Sequence, residues 1–163
     1  DGLSSIRFFV TPVVAILNYL DASYAFARYD MVGLSGGAWT TVIAAALDPR
    51  ITGSSHVAGS LPLPLRNKFG DFENQLPQLY EIAGYTELYV LGAAGPGREQ
   101  LQILNRFEPG GLSPTAPLLY EEPVNGAIAS IGEGGRFEAL LDTTTVEHVI
   151  SDFAIKRIKE MLR

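Results

Sequence analysis

The chain has 163 residues, of which 47% are hydrophobic and 18% are charged, a balance that suits one globular domain with a real core and argues against disorder. Its net charge is −6, and its Lys and Arg residues are scattered except for a group on the last predicted helix, where cations oppose the negative end of the helix dipole. Nucleic acid is not expected as a partner, because binding phosphates needs clustered Lys and Arg. The absence of cysteine excludes disulfides and a thiol nucleophile, and no apolar run of about 18 residues predicts a membrane span.

Strand-like and helix-like segments alternate without a repeat, which predicts an α/β fold with a mainly parallel sheet flanked by helices, in one domain over 1–163. Thr11 is expected to cap the first helix, and Pro12 to occupy its first position. The proline-rich stretch 61–77 predicts a loop, and the apolar and aromatic residues of 61–80 would suit a lid as well as a packed excursion. The predicted elements, in chain order, are a helix over 11–27, a strand over 29–34, a helix over 37–48, a strand beginning at 50, a helix over 78–95 whose second half also fits a strand, a strand over 99–107, a helix over 124–135, a strand over 136–144 and a helix over 149–162.

The segment 33–37, Gly-Leu-Ser-Gly-Gly, matches the G-x-S-x-G pattern and stands between a predicted strand and a predicted helix. A sharp turn of this kind places the central side chain, Ser35, at the exposed end of the strand. We expect Gly33 and Gly37 to let strand and helix approach closely, and the amide of Gly36 to face a developing oxyanion at the helix N-terminus. The pattern therefore predicts that Ser35 is a nucleophile.

A serine nucleophile needs a base, and the chain has two histidines. His56 lies in or just after a predicted strand, where a structural role is expected. His148 lies between the last predicted strand and the last helix, the position of the base in the chain order of nucleophile, acid and histidine. Glu108, after the preceding strand, is the favoured acid by the same order. Asp142 is the alternative, although it can also cap the turn that follows it.

Together, the sequences GLSGGAW, ILNRFEP and DTTTVEHVIS resemble the C-terminal half of an α/β-hydrolase of the esterase and lipase kind. The resemblance implies Ser35 as nucleophile, His148 as general base and then acid, and Glu108 as the orienting carboxylate. It also implies a small-molecule ester as substrate and no cofactor. No metal site is predicted, because His56 and His148 have no partners at metal-ligand spacing.

Members of that family have further strands before the nucleophile strand and a second oxyanion amide in one of their loops. Only a short segment precedes Ser35 here, and it contains no HGGG-type motif. We therefore expect either an N-terminal half outside this sequence or a second subunit to complete the site. An uncovered edge strand invites pairing with another chain, which makes dimerisation a hypothesis.

Leu34 and Trp39, on either side of the turn, are candidate substrate contacts, although Trp39 also suits packing between helix and sheet. The function predicted from these features is ester hydrolysis through an acyl-enzyme. One alternative is a binding module that uses the glycine-rich turn as an anion site, although the chain lacks the lysine of a P-loop and the spacing of a dinucleotide site. Another is an inactive half of a hydrolase.

Overall fold

Four parallel strands form the centre of the fold. The computed structural model describes residues 4–66, 76–109 and 119–162, and within them one sheet has the order β1-β2-β3-β4, with every neighbouring pair parallel. The predicted α/β fold with a parallel sheet is therefore confirmed. The strands are β1 (Tyr29–Leu34), β2 (Ile51–Val57), β3 (Glu99–Asn105) and β4 (Arg136–Asp142).

Helices cover both faces of this sheet, as parallel strands require for their crossover connections. The helices are α1 (Arg7–Ser23), α2 (Gly36–Leu47), α3 (Pro77–Ile82), α4 (Tyr85–Ala93), α5 (Glu121–Ile131) and α6 (Asp152–Met161), with a short 3-10 turn at Leu63–Leu65. Helices α2, α4 and α5 pack with α1 on one face, and α6 packs on the other. None of these described helices is long and apolar enough to cross a lipid bilayer.

Strand β3 is buried on both faces, and its alternation divides the core. Leu101 and Ile103 pack against α6, whereas Leu104 joins the larger apolar cluster of α2, α4 and α5. A central strand covered on both sides carries few charges, which explains its predicted apolar run. Its carboxyl end delivers residues to the edge of the sheet where β1 also ends.

The first helix begins earlier than its sequence signals predict. Helix α1 starts at Arg7, so Thr11 and Pro12 lie inside it and the expected cap at Thr11 is wrong. The turns before the proline are held by tertiary contacts: the ring of Phe9 meets Trp39 edge to face, with centroids 5.3 Å apart. Such packing outweighs the hydrogen bond that an internal proline removes.

The segment predicted as one helix over 78–95 is two helices with no strand. Helices α3 and α4 are separated at Gly84, whose backbone is extended with φ −75° and ψ 178°. The break stacks the ring of Tyr80 on that of Tyr85, with centroids 5.3 Å apart. Residues 67–75 of the expected lid lie outside the described residues.

Strand β1 forms one edge of the described sheet. Val32, in the middle of this strand, is 42% exposed, and the stacked rings of Tyr24 and Phe26 lie just before it in the chain. Dimerisation through this edge stays a prediction, which light scattering of the purified chain would test.

Candidate active site

Ser35 lies in a strained turn between β1 and α2. Its backbone has φ 57° and ψ −123°, and Ser35 and Ala58 are the two non-glycine residues with positive φ in the described part of the chain. Such a conformation costs roughly 1–3 kcal/mol and persists only where the surrounding structure enforces it. Ser35 therefore lies in a strained strand-to-helix turn, as its sequence pattern predicts.

Gly33 allows this turn to close. A Cβ at Gly33 would lie 2.1 Å from the carbonyl oxygen of Gly37 and 2.6 Å from Oγ1 of Thr41. A Cβ at Gly37 would meet none of the described residues within 4 Å, so the expected packing role of Gly37 is wrong. Gly37 contributes its carbonyl group to the contact, and only Gly33 must lack a side chain.

The hydroxyl of Ser35 is not used to cap the helix that it precedes. A serine at this position ordinarily accepts a hydrogen bond from one of the first helical amides, but no such bond forms here. The Ser35 amide instead donates to the carbonyl of Val57 at 3.0 Å, and its carbonyl accepts from the Trp39 amide at 3.1 Å. The side chain is left available for chemistry, beside the exposed first amide of α2 at Gly36.

His148 and Glu108 form a hydrogen-bonded pair at the same end of the sheet. Nδ1 of His148 lies 2.8 Å from Oε2 of Glu108, whose side chain is fully buried, whereas the imidazole is 41% exposed. A carboxylate at Nδ1 accepts a hydrogen bond from the N–H of that nitrogen, which keeps the proton on Nδ1 and leaves Nε2 as the basic nitrogen. The two residues are separated by 40 positions in the sequence and meet because β3 and β4 are neighbours.

Ser35 and His148 belong to the same edge of the sheet. Leu34 and Ile150, their near neighbours in the chain, pack against one apolar cluster that contains Val57. In the part of the chain that the structure describes, no hydrogen bond links the Ser35 hydroxyl to His148. Catalytic hydrogen bonds are often long without substrate and tighten when it binds.

Asp142, the alternative acid of the sequence prediction, braces the loop that carries His148. This loop, residues 143–151, is called the histidine loop below. Oδ1 of Asp142 accepts from the amide and the hydroxyl of Thr144, at 2.7 and 2.6 Å, and Oδ2 accepts from the hydroxyl of Ser151. Burial raises the pKa of Asp142, but these hydrogen bonds outweigh it and lower the pKa below its usual value. Both oxygens are therefore engaged at the two ends of the loop, which disfavours Asp142 as the acid.

Asn105 is a residue of the site that sequence reasoning missed. Its side-chain amide donates to the carbonyls of Glu147 and Val149, at 3.1 and 2.9 Å, and these residues flank His148. Asn105 ends β3 directly beside Asp142. A buried asparagine at the end of an apolar strand was the available signal, because an amide there needs partners.

His56 is a core residue, in line with the structural role expected for it. Its ring is fully buried and stacks on Tyr89, with centroids 5.3 Å apart. Nδ1 lies 2.7 Å from the hydroxyl of Ser60. Burial lowers the pKa of His56 to about 3, which keeps the ring neutral at ordinary pH.

Trp39 serves packing, whereas the substrate contact of Leu34 stays a prediction. Trp39 is 1% exposed, and its indole Nε1 donates to the hydroxyl of Tyr80 at 3.1 Å. A side chain with so little exposed surface cannot line an acyl pocket, so we assign Trp39 to the core. Leu34 is half-buried against the cluster of α6.

Comparisons with known proteins identify the fold. No family model matches the chain, and no curated protein matches it. The structure is similar to Est1E from Butyrivibrio proteoclasticus, with a TM-score of 0.63 and 10% identity, over 98% of this chain and 70% of that protein. It is also similar to a CE15 glucuronoyl esterase from Teredinibacter turnerae, with a TM-score of 0.65 and 18% identity, over 97% of this chain and 46% of that protein. The chain has an α/β-hydrolase-type fold and spans less than half the length of the second protein.

Proposed function

We propose that this chain belongs to a serine hydrolase that cleaves carboxylic esters through an acyl-enzyme. The observation that carries the proposal is the buried carboxylate of Glu108 on Nδ1 of His148, at the edge of the sheet that also bears Ser35 in its strained turn. Both structural neighbours are named as esterases, which supports the same class of chemistry.

In the proposed mechanism, Nε2 of His148 removes the proton of the Ser35 hydroxyl while Oγ attacks the ester carbonyl. Glu108 holds the imidazole in the correct tautomer and stabilises the imidazolium that forms. The amide of Gly36, at the positive end of α2, donates to the oxyanion of the tetrahedral intermediate. His148 then protonates the leaving alcohol, and in the second half of the reaction it activates a water that releases the acyl group.

The strain at Ser35 has a role in this mechanism. A hydroxyl held by a fixed backbone needs no reorganisation before it attacks, and positioning of this kind contributes several kcal/mol to rate enhancement. The missing cap bond at α2 fits this role, because a hydroxyl engaged with its own helix would be a poorer nucleophile.

The test is covalent labelling of the purified chain by a fluorophosphonate probe, with the labelled peptide identified by mass spectrometry. We expect labelling at Ser35, and hydrolysis of p-nitrophenyl acetate that is lost in Ser35→Ala. Ser130→Ala is the matched control, since Ser130 lies exposed on α5 and its hydroxyl bonds only to its own helix. An anion-binding turn or an idle remnant would give neither labelling of Ser35 nor ester turnover. The absence of both would overturn the proposal.

A further inference from the structure

The segment that follows β2 lies directly behind the proposed nucleophile. We call residues 57–61 the β2 turn. The Val57 carbonyl accepts from the Ser35 amide at 3.0 Å, and a Cβ at Gly59 would stand 1.9 Å from the Ser35 carbonyl oxygen. Ala58, with φ 49°, is the second strained residue of the site. The strained backbone at Ser35 thus contacts the strained β2 turn directly. The conformation of the β2 turn must therefore be stabilised by groups that contact it away from Ser35.

That support is a fully buried polar cluster. Nε2 of Gln102 donates to the Ser60 carbonyl at 2.7 Å and lies 3.1 Å from the Tyr89 hydroxyl. The Tyr120 hydroxyl donates to Oε1 of Gln102 at 2.5 Å, which fixes the orientation of the amide. The Ser60 hydroxyl completes the cluster at 2.7 Å from Nδ1 of His56. All five side chains are at most 4% exposed.

Burial alone does not account for an amide at this place. Tyr89, Tyr120 and Phe137 belong to the main apolar cluster, where Leu or Met would pack without the desolvation cost of a polar group. A polar network in such surroundings favours one arrangement of the groups that it joins, because any other arrangement leaves a buried donor or acceptor unpaired. Here the arrangement selected is the backbone of the β2 turn at Ser60.

We infer that Gln102 is a positioning residue for the nucleophile: it binds the backbone of the β2 turn and so holds Ser35 in its strained conformation. The inference rests on the proposed function for its effect on rate, but its structural part concerns the Ser35 backbone alone. Loss of the amide would let the turn retreat and the Ser35 backbone relax toward an ordinary conformation. Small displacements of a nucleophile cost far more in turnover than in substrate binding.

The chain supplies a matched control on the same strand. Gln100 lies two residues earlier on β3, so it points to the same side of the sheet, and it is 1% exposed. Its amide donates to the Ser54 hydroxyl at 3.1 Å, in the middle of β2, and its side chain also neighbours His56, but neither contact is with the backbone of the β2 turn. Gln100→Met and Gln102→Met remove the same groups from equally buried positions, and only the second should affect Ser35.

The first measurement is hydrogen–deuterium exchange of the peptides that contain the Ser35 and Ala58 amides, which donate to the carbonyls of Val57 and Ile103. We expect Gln102→Met to speed their exchange by about tenfold or more, and Gln100→Met to leave it unchanged. Equal exchange in the two variants would overturn the inference. This measurement needs no catalytic activity, so it stands even if the proposed function fails.

The second measurement is p-nitrophenyl acetate hydrolysis. Gln102→Met is expected to lower kcat by about tenfold or more with KM within about twofold, whereas Gln100→Met keeps both. Tyr120→Phe, which removes one hydroxyl and little volume, should reproduce part of the effect if Gln102→Met does not fold. A kcat loss in both glutamine variants that follows their loss of folded protein would refute a positioning role.

Discussion

Replacing Glu108 by glutamine separates the charge of the proposed acid from its shape. The introduced side-chain amide would retain an oxygen that can accept from Nδ1 of His148, so the imidazole keeps its tautomer and only the charge is lost. At the observed Nδ1–Oε2 distance of 2.8 Å, an imidazolium and a carboxylate attract each other by roughly 6 kcal/mol at an effective dielectric of about 20. The imidazole is 41% exposed, and water screens about half of this attraction. We therefore expect Glu108→Gln to raise the activation free energy by about 3 kcal/mol, which lowers kcat by about a hundredfold.

The same substitution should not destabilise the fold. Among the described residues, Oε1 of Glu108 is buried without a hydrogen-bond partner, and a buried carboxylate oxygen in that state costs more free energy than a neutral amide group. The unfolding free energy of Glu108→Gln is expected to equal that of the wild type or exceed it by up to about 2 kcal/mol, which corresponds to a Tm higher by up to about 5 °C. Activity should thus fall without a loss of stability.

The assay combines p-nitrophenyl acetate turnover with thermal and urea unfolding, all measured at the same neutral pH. Asp142→Asn is the matched control, because Asp142 is also buried but both its oxygens accept hydrogen bonds. An asparagine keeps one oxygen that can accept from Thr144, so the histidine loop should keep its place. That variant should lose about 2 kcal/mol of stability and keep kcat within about threefold per folded molecule. A near-normal kcat in Glu108→Gln, with a hundredfold loss in Asp142→Asn, would transfer the role of acid to Asp142.

Three further predictions follow from the described contacts. Asn105→Ala should lower the unfolding free energy by about 1–2 kcal/mol in urea titration and kcat by about tenfold, because it removes the hydrogen bonds that hold the histidine loop. An unchanged kcat would refute the proposed support of this loop. Gly33→Ala should lower the unfolding free energy by several kcal/mol, because its Cβ would lie 2.1 Å from a backbone oxygen. The control Gly126→Ala, whose Cβ would meet none of the described residues on α5, should raise the unfolding free energy by about 0.5–1 kcal/mol. Similar Tm values for the two variants would contradict the close contact at Gly33. Burial lowers the pKa of His56 from 6.5 in the unfolded chain to about 3 in the folded one, so the unfolded chain binds the proton first as the pH falls. The unfolding free energy should therefore decrease by about 1.4 kcal/mol per pH unit below about pH 6.5. Urea midpoints of His56→Gln should lack this contribution between about pH 6 and pH 4.5, and a slope equal to that of the wild type would refute the prediction.

Local signals were enough to locate the proposed nucleophile and to predict the fold class. The strained turn at Ser35 depends on residues within a few positions of it: an apolar strand, Gly33 and a following helix. The alternation of strands and helices likewise implied the parallel sheet, because each crossover is written in the chain order. The place of His148 after the last strand came from the same order.

Tertiary contacts decided the remaining features of the site. Glu108 and Asp142 both follow strands, and only the pairing of β3 with β4 shows that Glu108 contacts His148 while Asp142 is occupied by its own loop. The support of the histidine loop by Asn105 joins residues more than 40 positions apart and leaves no local pattern.

The start of α1 was also decided by packing, since the contact of Phe9 with Trp39 outweighs the capping signals at Thr11 and Pro12. By itself, the sequence determined which backbone would turn sharply and which residue types could carry chemistry. The tertiary structure alone determined which polar groups meet. A side chain's partners depend on which distant segments the sheet brings together, and local residue propensities carry no information about that pairing.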